Sequence, residues 1–260
     1  MNFKYKLTSK IKEFLENAIL TEIGIGCSDS QVIKIEKEGS IFYLKIADKG
    51  ILTSEYEKLK WLSGKIKVPE IIICETENNI EYLITKSLDG EMLCSEFYLT
   101  NENWKLGIPV LVECLKELYN VDIENCPFDV SLNYKLKLIK YNIDNNLIDT
   151  NNISSNIIEK FKTPENIYKY LIENKFEEEL CFTHGDLSLP NIFVYKNNFS
   201  GFIDIGESGV ADKWFDLAIL VKTLERNYGK ESVEAFFEEL GIEKNKFKIE
   251  YYLLMIELYI

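Results

Sequence analysis

Cysteine pairs and long apolar runs are the first features that this sequence lacks. Its six cysteines include no Cys-x-x-Cys pair, so their spacing indicates neither a zinc site nor a disulfide framework. In a chain of 260 residues this pattern is typical of reduced thiols in the cytosol. No segment approaches the about 20 apolar residues of a membrane span, and the N-terminal stretch lacks the apolar core of a signal peptide. We therefore expect a cytoplasmic protein without a membrane partner.

Basic residues are also scarce. The chain has 30 lysines and arginines and 43 aspartates and glutamates, which gives a net charge of −13. Nucleic acids and anionic membranes need a basic face on their partner, so the charge disfavours both as ligands. An acidic protein suits a cationic partner, although acidic residues that only keep a protein in solution give the same composition. A hydrophobic content of 46% is ample for a core, and the length allows one large lobe or two smaller ones.

The part of the sequence richest in chemistry is a stretch of alternating apolar and polar segments near residue 190. Short apolar runs at Leu180–Phe182, Asn191–Tyr195 and Gly201–Ile205 predict three strands. Asn197 and Asn198 supply turn residues between the second and third runs, so we expect these two strands to be antiparallel neighbours. This pairing would bring polar residues at the strand ends close together.

Three oxygen-bearing side chains, Asp186, Asn191 and Asp204, flank these predicted strands. Two carboxylates and one amide oxygen are hard ligands that suit Mg²⁺ together with waters and substrate phosphates. Asp and Asn are also ordinary turn and capping residues, and that interpretation needs no metal. The preceding His184-Gly185 and the following Gly206 favour chemistry, because the catalytic and metal loops of protein kinases have this spacing.

The same motifs resemble those of a known family. The pattern His-Gly-Asp-x-x-x-x-Asn at 184–191, the segment Gly201–Asp204 and the segment Ala211–Ala218 resemble the aminoglycoside phosphotransferases, in particular the branch that phosphorylates a 3′-hydroxyl. The resemblance is close from Leu180 onward, and looser but continuous before it. It implies an enzyme that uses ATP or GTP with Mg²⁺ to phosphorylate an aminoglycoside, and so confers antibiotic resistance.

The resemblance implies an α+β, two-lobed protein-kinase-like fold. Residues 1–88 would form a small nucleotide-binding lobe with an antiparallel sheet and a helix, and residues 89–260 a larger, mainly helical lobe for catalysis and substrate binding. Apolar periodicity agrees, since it predicts mainly strands in the first part and mainly helices after Asn103. The predicted elements include strands Ile23–Gly26, Gln31–Glu36 and Ile41–Ala47 and helices Lys10–Ala18, Glu55–Leu62 and Lys213–Tyr228.

Lys45 is the candidate phosphate-binding lysine of the first lobe. It lies in a predicted strand, where a lysine either faces solvent or has a specific partner. Glu55 begins a helical segment ten residues later, as does the glutamate that pairs with the ATP-binding lysine of kinases. We expect Lys45 to bind the α- and β-phosphates and Glu55 to hold Lys45 in place, with Glu57 as the rival partner of the lysine. Ser28, in the glycine-containing turn at 24–30, is a candidate phosphate donor, although an ordinary hairpin turn has the same composition.

The adenine edge is expected at the junction of the two predicted lobes. The resemblance assigns it to backbone groups near Thr85, Lys86 and Leu88, just before a change of composition at Asp89-Gly90.

The remaining roles in the chemistry also follow from the resemblance. Asp186 would orient the attacking hydroxyl and accept its proton, while Asn191 and Asp204 would hold Mg²⁺. His184, the single histidine, and Asp216 are expected to brace the catalytic loop and not to react.

The acceptor is expected to be a cationic small molecule. The resemblance assigns its binding to Glu159, Glu257 and Tyr259, although Ile256 and Arg226 stand where relatives have acidic residues. The oligomeric state is left open.

Three other functions remain. One is a kinase for another small hydroxyl compound, such as a sugar or a choline-like molecule. A protein kinase is disfavoured because no Ala-Pro-Glu follows Asp204, and a nucleotide-binding pseudokinase because Lys45, Asp186, Asn191 and Asp204 are all present.

Overall fold

The chain divides into two compact units. The structure, a computed structural model, describes residues 3–24, 30–100 and 102–259. The first unit comprises Met1–Glu91 and Phe193–Glu207, and the second comprises Met92–Ile192 and Ser208–Ile260. In none of the described segments is there a helix both long and apolar enough to cross a membrane. The predicted lobes, 1–88 and 89–260, stay a prediction.

Helices and strands occupy most of the described residues. The helices are α1 Ser9–Leu15, α2 Thr53–Leu62, α3 Glu96–Leu99, α4 Trp104–Tyr119, α5 Leu132–Asp144, α6 Ser155–Phe161, α7 Pro164–Glu173, α8 Lys213–Tyr228, α9 Lys230–Leu240 and α10 Lys246–Tyr259. The strands are β1 Ile19–Ile23, β2 Gln31–Lys37, β3 Ser40–Asp48, β4 Ile71–Glu77, β5 Ile80–Lys86, β6 Glu91–Met92, β7 Leu180–Thr183, β8 Ile192–Tyr195, β9 Asn198–Phe202 and β10 Gly209–Asp212.

The first unit is built on an antiparallel sheet with the strand order β1-β2-β3-β5-β4. Alternate residues of its central strands face one core, as the two-residue period of a strand requires. Ile33 and Ile35 of β2 and Leu44 and Ile46 of β3 are fully buried there, and Ile11 of α1 packs among them. The predictions of β2, β3 and α2 are confirmed. Strand β1 ends at Ile23 and does not include Gly24, while residues 25–26 of the strand expected at Ile23–Gly26 lie outside the described residues.

A carboxylate from the sheet fixes the start of α2. Glu81 of β5 is buried and accepts hydrogen bonds from the N–H groups of Leu52 at 2.7 Å and Thr53 at 3.2 Å. The Thr53 hydroxyl donates to its other oxygen at 2.6 Å. An anion is favourable at this position because the first N–H groups of a helix have no partner within the helix. The sheet therefore positions α2 and the glutamate on it.

The predicted hairpin after the catalytic loop is present, in the three-stranded sheet β6-β8-β9. Its turn is formed by Lys196 and Asn197, with φ of +50° and +60°, the left-handed geometry of a tight hairpin, and not by Asn197 and Asn198 as predicted, since Asn198 begins β9. A glycine is required beside it, since a Cβ on Gly90, where φ is +96°, would lie 1.9 Å from the carbonyl oxygen of Val194. The last strand ends at Phe202, not at Ile205 as predicted, so Asp204 lies outside the sheet.

The second unit is mainly helical. Strands β7 and β10 form a two-stranded antiparallel sheet in it, and α8 packs against both β7 and α10. The predicted helix Lys213–Tyr228 is confirmed as α8, which begins at the capping carboxylate of Asp212 and ends at Gly229. Apolar side chains of α8 such as Leu217, Leu220 and Leu224 are fully buried, so this helix is a rigid support for its polar residues.

Candidate active site

The loop after β7 is held by a buried carboxylate from α8. Asp216 has no exposed surface and accepts hydrogen bonds from the backbone N–H groups of His184 at 2.6 Å and Gly185 at 2.9 Å. Burial raises the pKa of Asp216, and the positive electrostatics of His184 and the two N–H groups oppose this rise. The prediction that Asp216 is a ligand of the loop backbone is therefore confirmed.

His184 is part of the same brace. Its ring is fully buried, and its Nδ1 accepts a hydrogen bond of 3.2 Å from the backbone N–H of Asp186. Gly185 adopts a φ of +86°, which places the next residue at the surface. The expected structural role of His184 agrees with this geometry, because its bond orients the chain and not a reacting group.

Asp186 and Asn191 are directly bonded to each other. The Asn191 Nδ2 donates to both the carbonyl oxygen and Oδ2 of Asp186, each at 2.9 Å. A single helical turn of the 3-10 type at 189–191, with Asn191 N–H bonded to the Ser188 carbonyl at 3.0 Å, sets this distance. Asn191 is buried while Asp186 is exposed, so one carboxylate faces solvent in a fixed orientation. The amide oxygen of Asn191 is not used by these bonds.

In the first unit, Lys45 is clamped between two carboxylates. Its Nζ lies 2.8 Å from both oxygens of Glu55 and also contacts Oδ1 of Asp204. Burial alone lowers the pKa of Lys45, but the charges of Glu55 and Asp204 outweigh it, so the pKa is raised and the lysine stays charged. The predicted Lys45–Glu55 pairing is thus confirmed, and the structure shows no such bond to the rival Glu57 among the described residues.

Asp204 stands on a strained turn that α2 secures. Its φ of +54° is in the left-handed region, which is uncommon for a residue other than glycine and is typical of functional turns. The carbonyl oxygen of the nearby Gly206 accepts a bond from the Ser54 hydroxyl at 2.8 Å and contacts the Lys58 Nζ. Sequence reasoning missed these two side chains, because the bonds join residues about 150 positions apart.

The expected adenine edge has one N–H group without a protein acceptor. The N–H groups of Lys86 and Ser87 donate to the carbonyl oxygens of Glu70, just before β4, and of Ile41 in β3, each at 2.9 Å. Leu88 N–H, by contrast, has no acceptor within the described residues, and its carbonyl oxygen accepts from the Ser87 hydroxyl. Thr85 is the residue of β5 paired with Tyr43. Ser28 lies outside the described residues.

The acceptor residues predicted from the resemblance are only partly brought together. Glu257 lines a cavity of about 370 Å³ in the second unit, between α6, α8 and α10. The other lining residues are Ser154, Asn156, Ile157, Lys222, Glu225, Arg226 and Leu253. Glu159 is exposed on α6 and is not on this wall.

Tyr259 packs elsewhere. Its ring meets that of Phe215 at 6.1 Å, and the buried amine of Lys135 lies 4.4 Å from its centroid. Its predicted role in acceptor binding stays a prediction.

The donor set fits a magnesium ion. Within the described residues there is no group of three or more His, Cys, Asp or Glu side chains that could hold a metal by themselves. Mg²⁺ takes few protein ligands and keeps waters and phosphates. The amide oxygen of Asn191 in the second unit and the half-exposed carboxylate of Asp204 in the first unit are each a hard ligand of the kind that Mg²⁺ takes.

An Asp–Asn catalytic loop in a helical unit and a lysine–glutamate pair on a sheet unit define a kinase-like phosphotransferase. The family model described as "Phosphotransferase enzyme family" matches residues 19–250. An aminoglycoside 3′-phosphotransferase of Enterococcus faecalis is 36% identical to this chain over 98% of its length and 99% of that protein. The chain therefore belongs to the phosphotransferase enzyme family.

Solved structures confirm the α+β, protein-kinase-like fold. An aminoglycoside 3′-phosphotransferase of type VIII superposes with a TM-score of 0.82 at 24% identity, covering 96% of this chain and 97% of that one. An aminoglycoside phosphotransferase of Streptomyces rimosus, solved with ADP and streptomycin, gives a TM-score of 0.74 at 19% identity and covers 96% of both chains.

Proposed function

We propose that the protein transfers the γ-phosphoryl group of a nucleoside triphosphate to the 3′-hydroxyl of an aminoglycoside, which would make its host resistant to that antibiotic. The observation that carries this function is the Asp186–Asn191 pair, held on a braced loop in a chain that matches an aminoglycoside 3′-phosphotransferase along its full length. The reduced thiols of the five described cysteines agree with a cytosolic location, where the nucleotide is available.

The nucleotide would bind through Lys45 and the edge of the sheet. The Lys45 ammonium, kept charged by Glu55, is placed to neutralise phosphate oxygens. Leu88 N–H is the donor available for the base, because the preceding N–H groups are already bonded within the protein. The bound ADP of the Streptomyces rimosus relative supports the use of an adenine nucleotide here, and GTP remains the alternative donor.

Asn191 and Asp204 would hold Mg²⁺. When bound, the ion neutralises charge on the phosphates. Asn191 is suited to this because its amide nitrogen is committed to Asp186, which leaves the amide oxygen as its ligand atom. Asp204 is suited because its carboxylate is half exposed, at 49%, and its backbone is fixed through the neighbouring Gly206.

Asp186 would act as the proton acceptor for the acceptor hydroxyl. Its Oδ2 already accepts the Asn191 amide, so Oδ1 is the oxygen left to receive the hydroxyl hydrogen bond. As the hydroxyl oxygen bonds to the γ-phosphorus, the bond from that phosphorus to the bridging oxygen breaks, the nucleoside diphosphate leaves, and the hydroxyl proton moves to Asp186. Because this transition state needs little covalent assistance, most of the rate enhancement would come from positioning.

Substitution of Asp186 by Asn tests this assignment. We expect kcat with an aminoglycoside to fall about 10²- to 10⁴-fold, the usual contribution of a positioned general base, while calorimetry still shows binding of a non-hydrolysable nucleotide. Asp122→Asn is the matched control, since Asp122 is an exposed carboxylate outside the catalytic loop. Retained turnover in Asp186→Asn would remove this residue from the chemistry, and a loss of turnover in both variants would point to charge or folding instead.

A further inference from the structure

The cavity beside Glu257 carries two cations where the proposed acceptor is itself cationic. Lys222 and Arg226 come from successive turns of α8 and line the same wall. Both are exposed, and within the part of the chain that the structure describes neither side chain makes an ion pair or a hydrogen bond. Their charges are therefore available to whatever enters the cavity.

Two acidic side chains of the cavity, Glu225 and Glu257, balance these cations. Glu257 already accepts hydrogen bonds from the N–H of Ser154 at 2.7 Å and from its hydroxyl at 2.9 Å. Glu225 lies 3.7 Å from Lys230, a pair too exposed to fix either charge. The lining thus has two acids and two bases, and the neutral Ser154 donors leave the charge of Glu257 in place, so the four charges sum to zero.

The backbone positions of Lys222 and Arg226 are fixed relative to the catalytic loop. Arg226 and Asp216 belong to one continuous helix, α8, whose apolar face is buried, and Asp216 binds the backbone immediately before Asp186. A charge on this helix cannot move away from an incoming acceptor except by rotation of its own side chain.

We infer that Arg226, together with Lys222, is a specificity-determining residue that removes a preference for the aminoglycosides with the most amino groups. This inference rests on the proposed function and concerns the same reaction. The two cations cancel the attraction that the two carboxylates would otherwise exert on each ammonium group of an acceptor. Because that attraction would grow with the number of amino groups, its loss matters most for the acceptors richest in them. The effect is on binding, and therefore on KM, because Arg226 is not placed among the reacting groups.

Neomycin and paromomycin make a matched pair of probes, since they differ by one amino group that is replaced by a hydroxyl. We expect Arg226→Gln to lower KM for neomycin about two- to fivefold, the effect of one exposed charge, and Arg226→Glu to lower it by roughly tenfold. The decrease in KM should be smaller for paromomycin. The kcat of the reaction and the KM for ATP should stay unchanged, and the decrease in KM for neomycin should become smaller as added salt screens the charges.

Lys116→Glu on α4 is the control, since it makes the same charge change as Arg226→Glu at an exposed residue that does not line the cavity. An unchanged KM in both Arg226 variants, or an equal fall of KM in Lys116→Glu, overturns the inference.

Activity of the wild-type enzyme separates a failure of the proposed function from a failure of this inference. If the wild type phosphorylates neither probe although it binds ATP, the proposed acceptor class is wrong and the inference falls with it, whereas wild-type turnover with no Arg226 effect refutes the inference alone.

Discussion

Replacement of Asp216 by Asn should damage both stability and turnover, because this side chain holds the catalytic loop from a fully buried position. Its two oxygens accept N–H bonds at 2.6 and 2.9 Å, and a hydrogen bond to a charged group contributes about 1.5–3 kcal/mol. Asn keeps one acceptor oxygen but presents an NH₂ to the other N–H, so one bond is lost and one buried donor is left unsatisfied, at about 1–3 kcal/mol. Relief of the buried charge offsets part of this loss. We expect a net destabilisation of about 2–3 kcal/mol.

The functional consequence follows from the position of the loop. Asp186 comes directly after the two anchored residues, and a displacement of about 1 Å in a reacting group costs roughly 10²-fold in rate. Urea midpoints report the stability and an ADP-release assay reports kcat. Thr183→Val is the matched control, because it removes a buried hydrogen bond of 2.9 Å to Gly209 without touching the loop anchors.

Thr183→Val should lower the free energy of unfolding by about 1 kcal/mol and leave kcat nearly unchanged. If Asp216→Asn matches the wild type in urea midpoint and in kcat, the bracing role assigned to the buried carboxylate is wrong. If both variants lose activity equally, the loss reflects general destabilisation of this part of the unit.

Three further perturbations test other parts of the structure. Lys45→Met should raise KM for ATP or lower kcat at least tenfold while the fold survives, and unchanged kinetics would exclude Lys45 from the nucleotide site. Hydrogen bonding by Lys213 lowers the pKa of Glu179 from 4.5 to about 2, so Glu179→Gln should lower the free energy of unfolding by about 1 kcal/mol near pH 7, after allowance for the exposure of Glu179. The difference in urea midpoint between this variant and the wild type should vanish as the pH falls from 4.5 towards 2, and a difference that grows in acid would contradict the assignment. Gly90→Ala should lower the melting temperature by several degrees, because its Cβ would lie 1.9 Å from the Val194 carbonyl oxygen, and an unaltered melting curve would show that the close approach is absent.

Local patterns predicted the elements that bury an apolar face. The alternation around Leu44 and Ile46 identified β3, because the strand period is a local property. The Lys45–Glu55 ion pair was predicted from the resemblance to kinases, since local spacing does not distinguish Glu55 from Glu57. Strand β1 begins at Ile19, before the strand expected at Ile23–Gly26, and residues 25–26 of that prediction lie outside the described part of the chain. Register there is set by pairing of β1 with β2, in which Ile23 lies opposite Val32, and not by the apolar residues of β1 alone.

Contacts between distant segments were beyond sequence reasoning. The anchoring of Gly206 by Ser54 and Lys58 joins two parts of the chain with no shared pattern. Glu257 was predicted to meet the acceptor, yet Ser154 already bonds to its carboxylate in the structure, and this partner is 103 residues away. The strained turn at Asp204 was likewise hidden, since its apolar neighbours suggested that the strand continues to Ile205.

The most direct test of the proposed function is ADP release with two aminoglycosides that differ at the predicted target. Kanamycin has a 3′-hydroxyl, while tobramycin lacks it. With purified enzyme, ATP and Mg²⁺, we expect ADP to be released with kanamycin but not with tobramycin, and the phosphate in the product to lie on the 3′-oxygen. Equal release with both compounds would contradict transfer to this hydroxyl, and no release with any aminoglycoside that carries it, despite intact ATP binding, would contradict the acceptor class.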